Sequence, residues 1–190
     1  IQGLLAARLD RLDADVRELA QAAAAVGLSI STCLLGKLVG SDVTVRLLTL
    51  ARLELVRRSG TDPAGDETWE FRHALIRDEA YLSLPKRRRA ELHEAVARHA
   101  LETRADDVDV TVGYHLEQAV RSRRDVGETG AVLSDLAREA ATHLGAAGLA
   151  AYERSDMAAC VSLLGRAAEL LPDTGPERLA LMPKLAQALQ

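Results

Sequence analysis

The most suggestive run of side chains is His93-Glu94-Ala95-Val96-Ala97-Arg98-His99, which comes close to a zinc-hydrolase helix. Such a helix needs two histidines at i and i+4, so that both imidazoles face one metal. Here they are six positions apart, about 240° around a helix, and they point to different faces. No metal site is expected. No Gly-rich loop ending in Gly-Lys-Ser/Thr is present, so the chain is not expected to hydrolyse ATP by the P-loop route. No serine elbow offers a nucleophile. The carboxylates are scattered along helix faces in i,i+4 partnerships such as Arg87 with Glu91. No catalytic residue is expected in this chain.

Two groups remain as candidate site residues. Lys86-Arg87-Arg88-Arg89 is the densest basic run. At a helix start it opposes the macrodipole; it is either a contact for an anion or partner domain, or a solvated face balanced by Glu91 and Glu94. His73, with Arg72 beside it, falls where a strand is expected to meet a helix. An imidazole there stands next to helical N–H groups, a setting that favours anions. The alternative is a histidine that satisfies local backbone carbonyls.

These residues are positioned by mostly helical elements. Leu4, Leu5, Leu9 and Leu12 space as a first helix. Asp13 or Asp15 starts a second, with Asp15 and Glu18 spaced as a capping box, and it stops at Gly27. A third runs from Ser31 to Val39, ending at Gly40, and Ser41 caps a fourth that reaches Leu53. Leu55 to Arg58 and Thr68 to His73 read as two strands around the turn formers 60–66, a hairpin with a loose tip. Helices followed by a two-stranded wing form a winged-helix arrangement. Helices are expected again over 74–82, from Pro85 to about Glu102, 110–120, 131–152, and from Ser155 or Asp156 to Pro172. Arg104 to Asp107 is a polar break, and Arg121 to Gly130 a charged connection. Thr174 opens the last helix, with Glu177 completing a second capping box.

With Pro172 as a closing proline, Gly148, Cys160 and Ala167 fall on the small positions of a tetratricopeptide (TPR) hairpin. Leu164 falls on the large apolar position, and Ala151 stands where the aromatic is usual, with Tyr152 next to it. An ordinary antiparallel helix pair is the alternative.

Composition agrees with a helical chain. Of 190 residues, 48% are hydrophobic but only 3% aromatic, so the core must be built from Ala, Leu and Val by close helix packing. A net charge of −4 removes the default case for sequence-independent nucleic-acid binding. The expected recognition helix, 41–53, carries Arg46 and Arg52 but is otherwise mostly apolar, which suggests burial against another domain rather than DNA reading. Cys33 and Cys160 suit no disulfide framework, and a reducing, cytoplasmic setting is expected. No apolar run approaches the ~20 residues that span a bilayer, and no membrane partner is expected. The chain starts at Ile1 and stops inside an expected helix, so it is expected to be a piece of a longer protein, with self-association through an exposed edge a consequence of truncation.

Several stretches resemble a known family. Ile1 to Leu12, then Phe71-Arg72-His73-Ala74-Leu75-Ile76-Arg77-Asp78 through Tyr81, Leu84 and Pro85 to Glu94, and Gly113-Tyr114-His115-Leu116-Glu117-Gln118-Ala119, are similar to the segment after the ATPase core in bacterial signalling NTPases of the STAND class. The resemblance covers nearly the whole chain. It implies a mainly α fold: a winged-helix-like domain with one small β-hairpin (1–84), a helical connector (85–130) and a truncated TPR-like repeat (131–190). It further implies a regulatory, non-enzymatic module that couples the nucleotide state of an upstream ATPase core, holding ATP or ADP, to an effector. The effector is a class III adenylate/guanylate cyclase in many actinobacterial members, and a DNA-binding domain in LuxR-type and antibiotic-regulatory activators. A protein or small-molecule inducer would bind the repeats, and DNA is not an expected partner of this segment. In such proteins a winged-helix histidine touches the β-phosphate of ADP. His73 resembles it by position, although Phe71-Arg72 precede it and Ala74 follows it in place of a Met-His-Asp motif.

Overall fold

The structure is a computed structural model that describes residues 2–40, 42–104 and 107–189. Contacts divide the chain into two units, 1–92 and 93–190. Among the described residues the chain is mostly helical, with one small antiparallel sheet. None of these helices is long and apolar enough to cross a membrane. Ser41, expected as a cap, lies outside the described residues, as do Ala105 and Asp106 of the expected polar break and the side chain of Leu4.

The first unit is built on α2 (Ala14–Val26), whose Val16, Leu19, Ala20 and Ala22 to Ala25 are all buried. Around it lie α1 (Gln2–Asp10), α3 (Thr32–Val39), α4 (Thr44–Arg52) and α5 (Ala74–Leu82). Ser31 caps α3, its hydroxyl accepting from the Leu34 N–H at 3.1 Å. Gly40 closes α3 in the left-handed region at φ 69°, where its N–H reaches the Gly36 carbonyl at 2.9 Å. Asp13 is the N-cap residue of α2, and the Asp15 carboxylate accepts from the Val16 N–H, so the expected Asp15/Glu18 box does not form.

The expected hairpin gains a third strand. β2 (Val56–Thr61) and β3 (Glu67–Phe71) pair as expected, but β3 also pairs with the two-residue β1 (Ile30–Ser31), giving the order β1-β3-β2. Two residues carry no readable alternation; it is the register Ile30 to Trp69 that makes them a strand. The hairpin tip is not loose. The Asp66 carboxylate accepts from the Ser31 hydroxyl and, at 2.8 Å, from the Cys33 N–H, while the Thr32 hydroxyl donates to the Glu67 carbonyl. The turn formers of 60–66 thus fasten the wing to the start of α3. Trp69 is buried, and its indole N–H finds no acceptor among the described residues.

The second unit takes up α6 (Lys86–Thr103) from His93 on. It continues with α7 (Val108–Arg124), α8 (Ala131–Glu153), α9 (Met157–Leu170) and α10 (Pro176–Ala188). Helix α7 runs past both expected ends. Its added last turn holds Arg121, Arg123 and Arg124, cations that favour a helix C-terminus. Asp156 caps α9, its carboxylate accepting from the Ala159 N–H at 3.0 Å. Helix α10 starts later than expected. Pro176, preorganised for the first helical position, makes Gly175 the cap residue, and neither Thr174 nor Glu177 forms the expected box.

Glycines set how closely these helices approach. A Cβ on Gly113 of α7 would lie 2.8 Å from Leu144 Cγ and 2.9 Å from the Leu144 backbone nitrogen on α8. A Cβ on Gly148 of α8 would lie 2.7 Å from Leu164 Cδ2 on α9. Cys160 and Ala167 of α9 are fully buried with Leu164. Glycine normally weakens a helix interior by up to ~1 kcal/mol relative to alanine, but overpacking costs ~1–3 kcal/mol. Gly113→Ala is therefore expected to lower stability by about 1–2 kcal/mol. Gly165→Ala on α9, where a Cβ meets nothing within 4 Å, is expected to raise it by up to ~1 kcal/mol. Urea unfolding of the two variants checks both signs.

Candidate functional site at the junction of strand β3 and helix α5

Strand β3 ends at Phe71, and the Arg72 N–H donates back to the Leu55 carbonyl at 3.0 Å. His73 follows in extended conformation as the N-cap residue of α5. Its carbonyl accepts from the N–H of Ile76 at 3.0 Å, and its side chain makes no capping bond. Ile76 and Ala80 are buried and hold α5 against α2. The frame beneath His73 is fixed by packing, while the His73 and Arg72 side chains are exposed. The first N–H groups of any helix lack intrahelical acceptors, so an exposed imidazole here sits beside donors suited to an anion.

The basic run lies at the other end of α5, about 13 Å away by helix rise. It is divided between two roles. Arg89 donates to the carbonyls of Leu82 at 2.7 Å and Leu84 at 3.0 Å, and lies over the Tyr81 ring at 4.8 Å. This cation serves the C-terminus of α5, where it is favoured, and not only the start of α6, where it is not. Arg88 pairs with Glu91 at 3.1 Å and with Glu18 at 3.6 Å. Glu91 is thus engaged by Arg88 and not by the expected Arg87. Lys86 and Arg87 are exposed. The structure does not bring the basic run and His73 into one site.

The densest buried polar chemistry is in the second unit. His93 Nδ1 and His115 Nδ1 are 2.8 Å apart, with the residues 1% and 4% exposed. Burial pushes the His115 imidazole down to about 4. The Tyr114 ring stands edge-on to both. Glu117 is 2% exposed. Its carboxylate accepts from Arg121 at 2.8 Å, one turn on, and from Arg166 of α9 at 2.5 Å. The Arg166 guanidinium also lies 6.0 Å from the Tyr114 ring centre. A further link joins Arg123 to Glu94 at 2.7 Å and to Glu128 at 2.7 Å. Hydrogen bonds to Glu128 and to Glu94 push that guanidinium up.

His93, the first histidine of the expected run, faces His115 of α7. Among the described residues no group of three or more metal-ligating side chains converges. The His93–His115 pair was legible in one respect. His93 falls on the apolar stripe Leu92, Val96, Ala97 and Ala100, and His115 on Val112, Leu116 and Ala119. A polar residue inside such a stripe is bound to be buried. Nothing local marks its partner.

Removing one member of a buried ion pair strands the other, and hydrogen bonds to charged groups contribute ~1.5–3 kcal/mol. Glu117→Gln is expected to destabilise the chain by about 2 kcal/mol. Arg166→Met is expected to cost less, because Arg121 still holds the carboxylate. Equilibrium unfolding of both variants measures the order. No family model matches this chain, and no curated protein or solved structure matches it either.

Proposed function

We propose that this chain is a regulatory and protein-interaction module of a multidomain, ATP-dependent signalling protein with a class III adenylate/guanylate cyclase effector. It couples the nucleotide state of an upstream ATPase core to effector output. The observation that carries the reading is His73: an exposed imidazole at a strand–helix junction whose backbone is fixed by buried Ile76 and Ala80. ADP would be met there by His73 and the first N–H groups of α5, with Arg72 adding charge. The nucleotide's phosphates supply the negative charge, and its loss or exchange changes which conformation is favoured.

The chain path supports the same reading. A helix, a short strand, two helices and a two-stranded wing, with β1 against β3, follow the order of a winged helix. In a DNA-reading winged helix the outer face of α4 would be polar, whereas Val45 and Leu48 there are 71% and 46% exposed. This favours a protein surface over a base-reading one. The TPR-like reading of residues 131–190 is supported by Gly148 seated under Leu164, with Cys160 and Ala167 buried at the same crossing. Such hairpins would receive the inducer or partner.

In a protein that carries this chain behind its ATPase core, His73→Ala is expected to speed ADP release by about tenfold, some 1.4 kcal/mol, and to raise basal effector output. ADP release measured by rapid mixing, alongside effector activity, tests this. Unchanged release and output would remove His73 from nucleotide sensing.

A further inference from the structure

Helix α5 is buried on one side only. Ile76 and Ala80 face the core, whereas Leu75 and Leu82 are 49% and 59% exposed. Those two leucines are seven positions apart, on one face of the helix and about 10 Å apart along its axis. Asp78 and Glu79 fall between them. Together with Tyr81 they line an open hollow of about 310 Å³, at the lower end of the size range of ligand sites.

The two carboxylates are not equally engaged. Arg77 donates twice to Asp78, through Nε at 3.1 Å and Nη2 at 2.7 Å, and both bonds end on Oδ1. Oδ2 is left to accept from another donor. Glu79 is half-buried and makes no ion pair among the described residues. Arg77 offsets one of the two charges, so one negative charge stands uncompensated between two exposed leucines. Its best counterpart is a cation that brings its own apolar cover, because excluding water strengthens the pair. A long cationic side chain has that form, an apolar stem under a charged head. Arginine fits better than lysine. Its planar fork can span neighbouring carboxylates, and it is the more weakly hydrated cation.

We propose that the hollow on the outer face of α5 receives an arginine of a protein partner, presented on an amphipathic segment whose apolar residues cover Leu75 and Leu82.

Charge complementarity selects this occupant. Nucleic acid and anionic lipid would present phosphates, which the carboxylates repel. A second copy pairing α5 on α5 would set the same carboxylates against each other. Arg72 before α5 and Arg87 after it are exposed, and they confine the partner's cation to the middle of the face. The site stands apart from the nucleotide contact proposed for His73, and its test uses no nucleotide.

The test is a titration of the whole 190-residue chain with a synthetic helical peptide, followed by backbone amide spectra. The peptide carries one central arginine with leucines one turn to either side. A second version has citrulline, the neutral isostere, in place of that arginine. Shifts should be confined to α5 and its flanks, and citrulline should weaken binding by about tenfold or more. Glu79→Gln should weaken the arginine peptide by a similar factor and leave the citrulline peptide unaffected. Leu82→Ser, at an exposed position, should weaken both. Failure of the arginine peptide to bind, equal affinity for the two peptides, or unchanged affinity in Glu79→Gln would overturn the proposal. So would α5 shifts that grow with the concentration of the chain alone and vanish in Arg52→Gln on α4, since they would give the hollow to a second copy.

Discussion

A core with one phenylalanine and one tryptophan can be filled only by bringing backbones together. That constraint governs the second unit. Alanines at 137, 140, 141, 147, 151 and 167 line the helix seams, and Gly113 and Gly148 sit where a neighbouring leucine leaves no room for a methyl group. Close approach of this kind gains dispersion contacts along the whole seam. It also makes the seams intolerant of added volume, because a tight crossing cannot widen at one point alone. The first unit follows the same rule through the alanine face of α2, which lets α5 and α4 pack near its axis.

Against this apolar background the polar residues that remain inside are conspicuous. Glu117 reaches 49 positions along the chain to Arg166, and His93 reaches 22 to His115. Alanine seams specify little on their own, since one methyl group resembles the next and a helix could slide by a turn at modest cost. A buried carboxylate that must meet a guanidinium, or an imidazole that must meet the complementary tautomer, permits one register only. In this unit small residues provide the proximity and buried polar pairs select the alignment.

Much of the helical framework was legible in the sequence because it depends on local signals. Gly27 and Gly40 ended helices, and α5 falls on the expected residues 74–82. What escaped depends on distant partners. Ile30 and Ser31 are a strand only because Trp69 and Thr68 lie beside them. Asp66 looked like part of a turn, and its role at the start of α3 needs the folded hairpin. The basic run was legible as charge but not as a cap for the preceding helix, because Arg89 reaches backward to Leu82. His73 was placed correctly at its junction by the strand and helix patterns on either side. Its chemistry depends on what approaches it, and periodicity carries no information about that.

Trp69 lies in the first unit, while Tyr114 and Tyr152 lie in the second. With a single indole in the chain, near-ultraviolet emission excited at long wavelength is a private signal of residues 1–92. Because that indole is buried and its N–H meets no acceptor among the described residues, its emission in the folded state should be blue, and its red shift on unfolding large. Far-ultraviolet dichroism, by contrast, weighs every helix in both units. The two optical signals would coincide through a denaturation only if the units melt as one, so their separation measures directly how strongly the two halves of the chain are coupled.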